Sequence, residues 1–126
     1  MSYEFHWESR GVHKVFTGFL TTHDFLKSAE EIHGSKQFDD LNYVINDFSG
    51  ITGHGLNDDT FELYGVMTRV STKSTKRTVR SIFVTADERL MNLINAHLAK
   101  HARYYQFLTC PDLGSARAWL LKNGLA

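Results

Sequence analysis

Cysteine and proline are nearly missing from this chain: Cys110 and Pro111 are the only ones among 126 residues. A lone cysteine excludes an internal disulfide and a thiolate-based zinc site, and it fits a reducing, cytoplasmic setting. Excess charge is missing too, since 14 basic residues balance 14 acidic ones. That balance excludes the strongly basic footprint of a dedicated nucleic-acid binder. The longest unbroken apolar run is four residues, Ala118 to Leu121, too short for a transmembrane segment. The opening Met1-Ser2-Tyr3-Glu4 has neither the basic nor the apolar region of a secretory leader. No repeat, low-complexity tract or linker breaks the chain.

What is there is an ordinary globular composition, 42% hydrophobic and 13% aromatic. The length suits one domain, 1–126, given roughly 100–200 residues per domain. Tyr3, Phe5 and Trp7 alternate with Glu4, His6 and Glu8, the period-two pattern of an edge strand. Ser9-Arg10-Gly11 turns the chain into a second strand, Val12 to Leu20, predicting an antiparallel hairpin. The period then lengthens. Thr22 is placed to cap a helix with Phe25, Leu26, Ala29 and Ile32 inside, ended by Gly34 in the left-handed conformation.

Tyr43 to Phe48 reads as a short buried strand. A glycine-rich loop, Ser49 to Asn57, then leads to a helix capped by Asp58 or Asp59, with Phe61, Tyr64, Met67 and Val70 inside. Thr78 to Thr85 is a β-branched strand, and Thr85-Ala86-Asp87-Glu88 reads as a capping box. Leu90, Met91, Ile94 and Leu98 mark a third helix. Tyr104 to Thr109 is the last strand, and Asp112 caps a final helix containing Ala116, Trp119 and Leu120, closed by Gly124. The order β-β-α-β-α-β-α-β-α predicts an α/β fold: a mostly parallel sheet with an antiparallel edge strand, packed by helices.

Two motifs sit on that order. Val44-Ile45-Asn46-Asp47-Phe48-Ser49-Gly50-Ile51-Thr52 is an apolar run followed by Asp, a hydrophobe, Ser and Gly. Phe107-Leu108-Thr109 precedes a helix carrying Ala116-Arg117-Ala118-Trp119-Leu120. Together with the element order, which covers nearly the whole chain, they resemble the SpoIIAA-like branch of the anti-sigma-factor-antagonist (STAS) superfamily. The resemblance implies a single STAS-like domain acting as a non-enzymatic regulatory or protein-interaction module, with no cofactor. Signalling members carry a phosphorylatable Asp-Ser pair eight or nine residues beyond the strand Asp. Here Gly55 and Leu56 occupy those positions, and neither accepts phosphate.

The segment after the third strand holds the candidate binding residues: Asp47, Ser49, Gly50, Thr52, Gly53, His54, Gly55 and Asn57. It lies at the carboxyl end of a parallel strand and ahead of a helix, where open α/β sheets bind ligands. The Thr85-Ala86-Asp87 turn and the Thr109–Asp112 junction are expected on the same edge. Three glycines in the loop allow close backbone approach to a partner, or else serve only to form turns. Asp58, Asp59 and Glu62 argue against an anion at that helix start.

Other residues admit both structural and functional readings. His97 and His101, four apart on the third helix, are spaced to share a metal, yet no third ligand stands near them in sequence. Arg69, Lys73, Lys76, Arg77 and Arg80 form a basic run that suits an acidic partner or a helix C-terminus equally. Cys110 has no neighbouring His and reads as a small buried residue. No Ser-His-Asp order, paired-carboxylate spacing or phosphate-binding fingerprint is present. The expected partners are a protein or a second copy of this chain in a homodimer. The alternative is carriage of a small apolar ligand. The branch resembles the CRAL-TRIO lipid-transfer domains in fold, and nine Phe, five Tyr and two Trp are enough to line a cavity.

Overall fold

The structure is a computed structural model that describes residues 3–73, 79–101 and 106–126. Its elements are β1 (Tyr3–Trp7), β2 (Gly11–Leu20), α1 (Thr22–His33), β3 (Tyr43–His54), α2 (Asp58–Lys73), β4 (Arg80–Val84), α3 (Glu88–Leu98), β5 (Gln106–Cys110) and α4 (Leu113–Lys122), with short 3-10 turns at Phe38–Asp40 and Ala99–His101. The expected α/β fold with a mostly parallel sheet is what forms. Among the described residues five strands lie in chain order in one sheet, β1 antiparallel to β2 and the others parallel. The expected strand residues Thr78, Tyr104 and Tyr105 lie outside the described residues, as do Lys76 and Arg77 of the basic run. No helix among the described residues is long and apolar enough to cross a membrane.

Strands that neighbour each other in chain order, joined by right-handed crossovers, put every connecting helix on the same face. Accordingly α1, α2 and α3 share one core with Phe16, Phe48 and Phe83 of the sheet. The helix α4 follows the last strand and packs on the opposite face, where Ala116 and Leu120 meet Tyr43, Ile45, Ile82 and Val84. It reaches only part of that face. Glu4 and His6 of β1 stay exposed there.

The helical core is aromatic. Phe25 touches Phe16, Phe48, Phe61 and Tyr64, with ring centroids 5.1–5.9 Å apart, and Phe83 closes the stack against Phe48, Phe61 and Tyr64. Within it sits Lys14, only 1% exposed. Its ammonium donates to Ser28 Oγ at 3.0 Å and lies 5.5 and 5.4 Å from the Phe16 and Phe25 ring centres. Burial pulls its pKa down to about 7, with Glu31 opposing in part.

Several helix ends differ from expectation. Thr21, not Thr22, caps α1 by accepting from the Asp24 amide, and Gly34 keeps a right-handed φ of −85°. Asp87 rather than Thr85 caps α3, accepting from Arg89 and Leu90, because Thr85 is spent accepting from the Asp87 amide. Val70 is 60% exposed and the small Thr68 takes its place inside. Trp119 is half-buried beside the second core, leaving Leu120 as the fully buried anchor of α4. Gly124 does close α4 in the left-handed region, φ +68°, with Leu125 N–H donating to Leu120.

A clasp ties α4 to the turn that follows the edge strand. Arg117 donates to both Glu8 oxygens at 2.6 Å, and the Tyr43 hydroxyl donates to the same carboxylate. The Tyr43 ring packs against Gly11 so closely that an added Cβ would overlap it.

Candidate functional site

The Ser49–Asn57 segment is mostly strand, which corrects the expected loop. β2 is ten residues long and offers a ladder edge well past Val15. The chain beyond Phe48 takes it, pairing Gly50 with Thr17, Ile51 with Gly18, Gly53 with Phe19 and His54 with Leu20, across two bulges. The glycines serve this approach rather than a turn. A Cβ on Gly50 would sit 3.0 Å from the Phe16 carbonyl, and one on Gly53 would sit 3.3 Å from the Phe19 ring. None of Gly50, Gly53 and Gly55 has positive φ.

The segment nevertheless faces a cleft at the carboxyl edge of the sheet. Ser49, Thr52, Gly53 and His54 line it with Phe48 and Ile51 on one side, and Thr85, Ala86, Asp87 and Pro111 on the other, around a volume of about 270 Å³. The turn after β4 and the junction after β5 thus gather with the end of β3, as parallel strands require. Of the remaining candidates, Asp47 lies buried next to the cleft, Gly50 packs against β2, and Gly55 and Asn57 belong to the start of α2.

That start is built by side chains. Asn57 Oδ1 accepts from the Thr60 amide and Thr60 Oγ1 accepts from the Asn57 amide, both at 3.1 Å. This reciprocal cap replaces the expected Asp58 or Asp59. Thr22 reaches across from α1, its hydroxyl donating to the Gly55 carbonyl at 3.2 Å and sharing a 2.8 Å bond with Thr60. His54 Nδ1 accepts from the Leu56 amide at 3.0 Å, which leaves the ring proton on Nε2 when the imidazole is neutral.

Asp47 organises the end of β3. Its Oδ1 accepts from the Ser49 amide at 3.0 Å and the Ser49 hydroxyl at 2.6 Å, while Oδ2 accepts from His13 Nε2 at 2.8 Å. Burial pushes the carboxyl pKa up, but these three bonds outweigh it and the net shift is downward. The carboxylate stands between serine and histidine, so His13 does not reach the Ser49 proton directly. These bonds fix the Ser49 end of the segment to β2. Sequence reading missed His13. Its only signal is a polar residue at an inward strand position, and its partner became visible only through the β2–β3 register, which pairs Val15 with Asp47.

The two helix histidines meet acids. His97 Nε2 lies 3.0 Å from Asp58 and Nδ1 lies 3.2 Å from Glu62, joining α3 to α2. His101 is buried and stands 3.7 Å from the other Glu62 oxygen. Lys100 and His97 bring the Glu62 carboxyl down to about 2. Among the described residues, no group of three or more His, Cys, Asp and Glu side chains is arranged to hold a metal. Cys110 is buried at the end of β5, and burial raises its thiol pKa. Arg80, from the basic run, bonds Gln106 across β4 and β5 at 3.0 Å.

With the geometry described, comparison with known proteins adds no relative: no family model, no curated protein and no solved structure matches the chain.

Proposed function

We propose that the chain is a non-enzymatic, STAS-like interaction module that recognises a protein partner through the cleft at the carboxyl edge of its sheet. The observation that carries this reading is the convergence of Ser49, Thr52, Gly53 and His54 with Thr85, Ala86, Asp87 and Pro111 around one opening. Three chain segments meet there with exposed Thr52, Ala86 and Asp87, a surface suited to polar and backbone contacts with a peptide chain. At about 270 Å³ the cleft is slightly smaller than the roughly 300–1,000 Å³ of small-molecule sites. The continuous aromatic stack from Phe16 to Phe83 supports this reading over carriage of an apolar ligand. The absence of a phosphate acceptor at Gly55 and Leu56, just before the Asn57 cap, supports recognition without a phosphoswitch. A cytoplasmic, reducing location belongs to the same proposal and agrees with the unpaired Cys110.

Affinity capture from extracts of the source cells tests it. The intact chain should retain a partner that is lost on Thr52→Arg with Ala86→Arg, two exposed positions at which added bulk leaves the core alone. Equal retention by the double variant would contradict the assignment of the cleft.

A further inference from the structure

The outer face of α2 has an apolar seam that none of the described residues covers. Leu63, Val66 and Val70 are 49%, 37% and 60% exposed, half of the exposed large hydrophobics among the described residues. They lie opposite the face that α2 buries with Phe61, Tyr64 and Thr68. Asp59, Leu63, Val66, Val70 and Lys73 recur at steps of four, three, four and three, the spacing of a helix–helix seam. Between this seam and α1 lie two hollows that meet at Met67 and Glu30. One, of about 460 Å³, is lined by His33, Val66 and Val70; the other, of about 400 Å³, by Leu26, Lys27 and Leu63.

The charges of the helix identify what fits. It opens with Asp58, Asp59 and Glu62 and ends with Arg69 and Lys73. A parallel neighbour of the same sequence would set acid against acid. An antiparallel copy, related by a two-fold axis at Val66, sets the Asp59 position opposite the Lys73 position at both ends. It also opposes the two helix dipoles and lays Leu63 of each copy near Val70 of the other.

We infer that α2 is the interface of a two-fold homodimer in which two copies of the helix pack antiparallel across Val66. The interface is isologous, with one self-complementary patch used twice. It shares no residue with the cleft at the sheet edge, so each dimer presents two clefts.

Sedimentation equilibrium at low salt tests this. The chain should sediment at twice its mass at tens of micromolar, and Val66→Arg should sediment as a folded monomer with an unchanged circular-dichroism spectrum. Asp59→Lys should weaken the dimer by about tenfold, the effect of losing two symmetric contacts worth a factor of a few each. Adding Lys73→Asp to that variant should restore it, because the pairing is then reversed at both ends. A monomeric wild-type chain at these concentrations, a dimer indifferent to Val66→Arg, or a charge-reversed double variant no tighter than Asp59→Lys alone would each overturn the inference.

Discussion

His13 on β2 donates from Nε2 to Asp47 Oδ2 on β3 at 2.8 Å, with the histidine side chain 12% and the aspartate side chain 7% exposed. This bond and the two from Ser49 turn an otherwise costly buried carboxylate into the fixed point from which β3 continues past Phe48.

Because its folded pKa is lowered, Asp47 adds stability that is present above its unfolded value of about 4 and is lost as pH falls through the lower folded value. Asp47→Asn should therefore cost about 1–3 kcal/mol at pH 7, and the gap should close in acid. Urea titrations at pH 7 and below pH 3 read both. A gap unchanged in acid would mean that ionisation of Asp47 contributes nothing.

Lys14 should impose a slope of the same sign in a higher pH window. Its folded pKa is lowered to about 7, while the unfolded value is about 10.4. The penalty of burying the charge is full below pH 7 and is relieved as pH rises between the two values, where the unfolded chain binds more protons. Wild-type stability relative to Lys14→Met should therefore rise from pH 7 to 9.5 in denaturant titrations. A flat difference would show that Lys14 keeps its charge inside the aromatic core.

The fold was legible wherever one period was strong. Alternation set out β1 and the hairpin, and the order of periods set out the parallel sheet. The extension of β3 was not legible, since Gly50 and Gly53 have little intrinsic preference for strand and the pairing depends on the length of β2, a tertiary fact. Val70 misled for a related reason. α2 turns small residues, Thr60, Gly65 and Thr68, toward the sheet and the buried His101, so large apolar residues remain for its outer face. The candidate residues of the cleft could be read from position alone, whereas His13 needed the register.

Gly11 marks a contact that tolerates no side chain. Gly11→Ala drives a Cβ into the Tyr43 ring, which Glu8 and Arg117 hold in place, and should cost about 1–3 kcal/mol as an overpacking change. Tyr43→Ala should make the same substitution nearly neutral in a double-mutant cycle. Additive losses would mean that the ring moves aside without cost.

On α4, Leu120 rather than Trp119 is the anchor. Leu120→Ala should cost about 2–5 kcal/mol, and Trp119→Ala less, because Trp119 is only partly buried against the core while Leu120 is fully buried. Thermal or urea unfolding of both variants checks the order, and a larger loss at Trp119 would reverse it.

The measurement that bears most directly on function is backbone amide chemical-shift mapping of the labelled chain with its captured partner. The expected shifts cluster at residues 49–54, at 85–87 and around Cys110 and Asp112, since Pro111 has no amide proton. Shifts confined to the helix faces or to the 73–80 region, with 49–54 silent, would contradict recognition through the cleft.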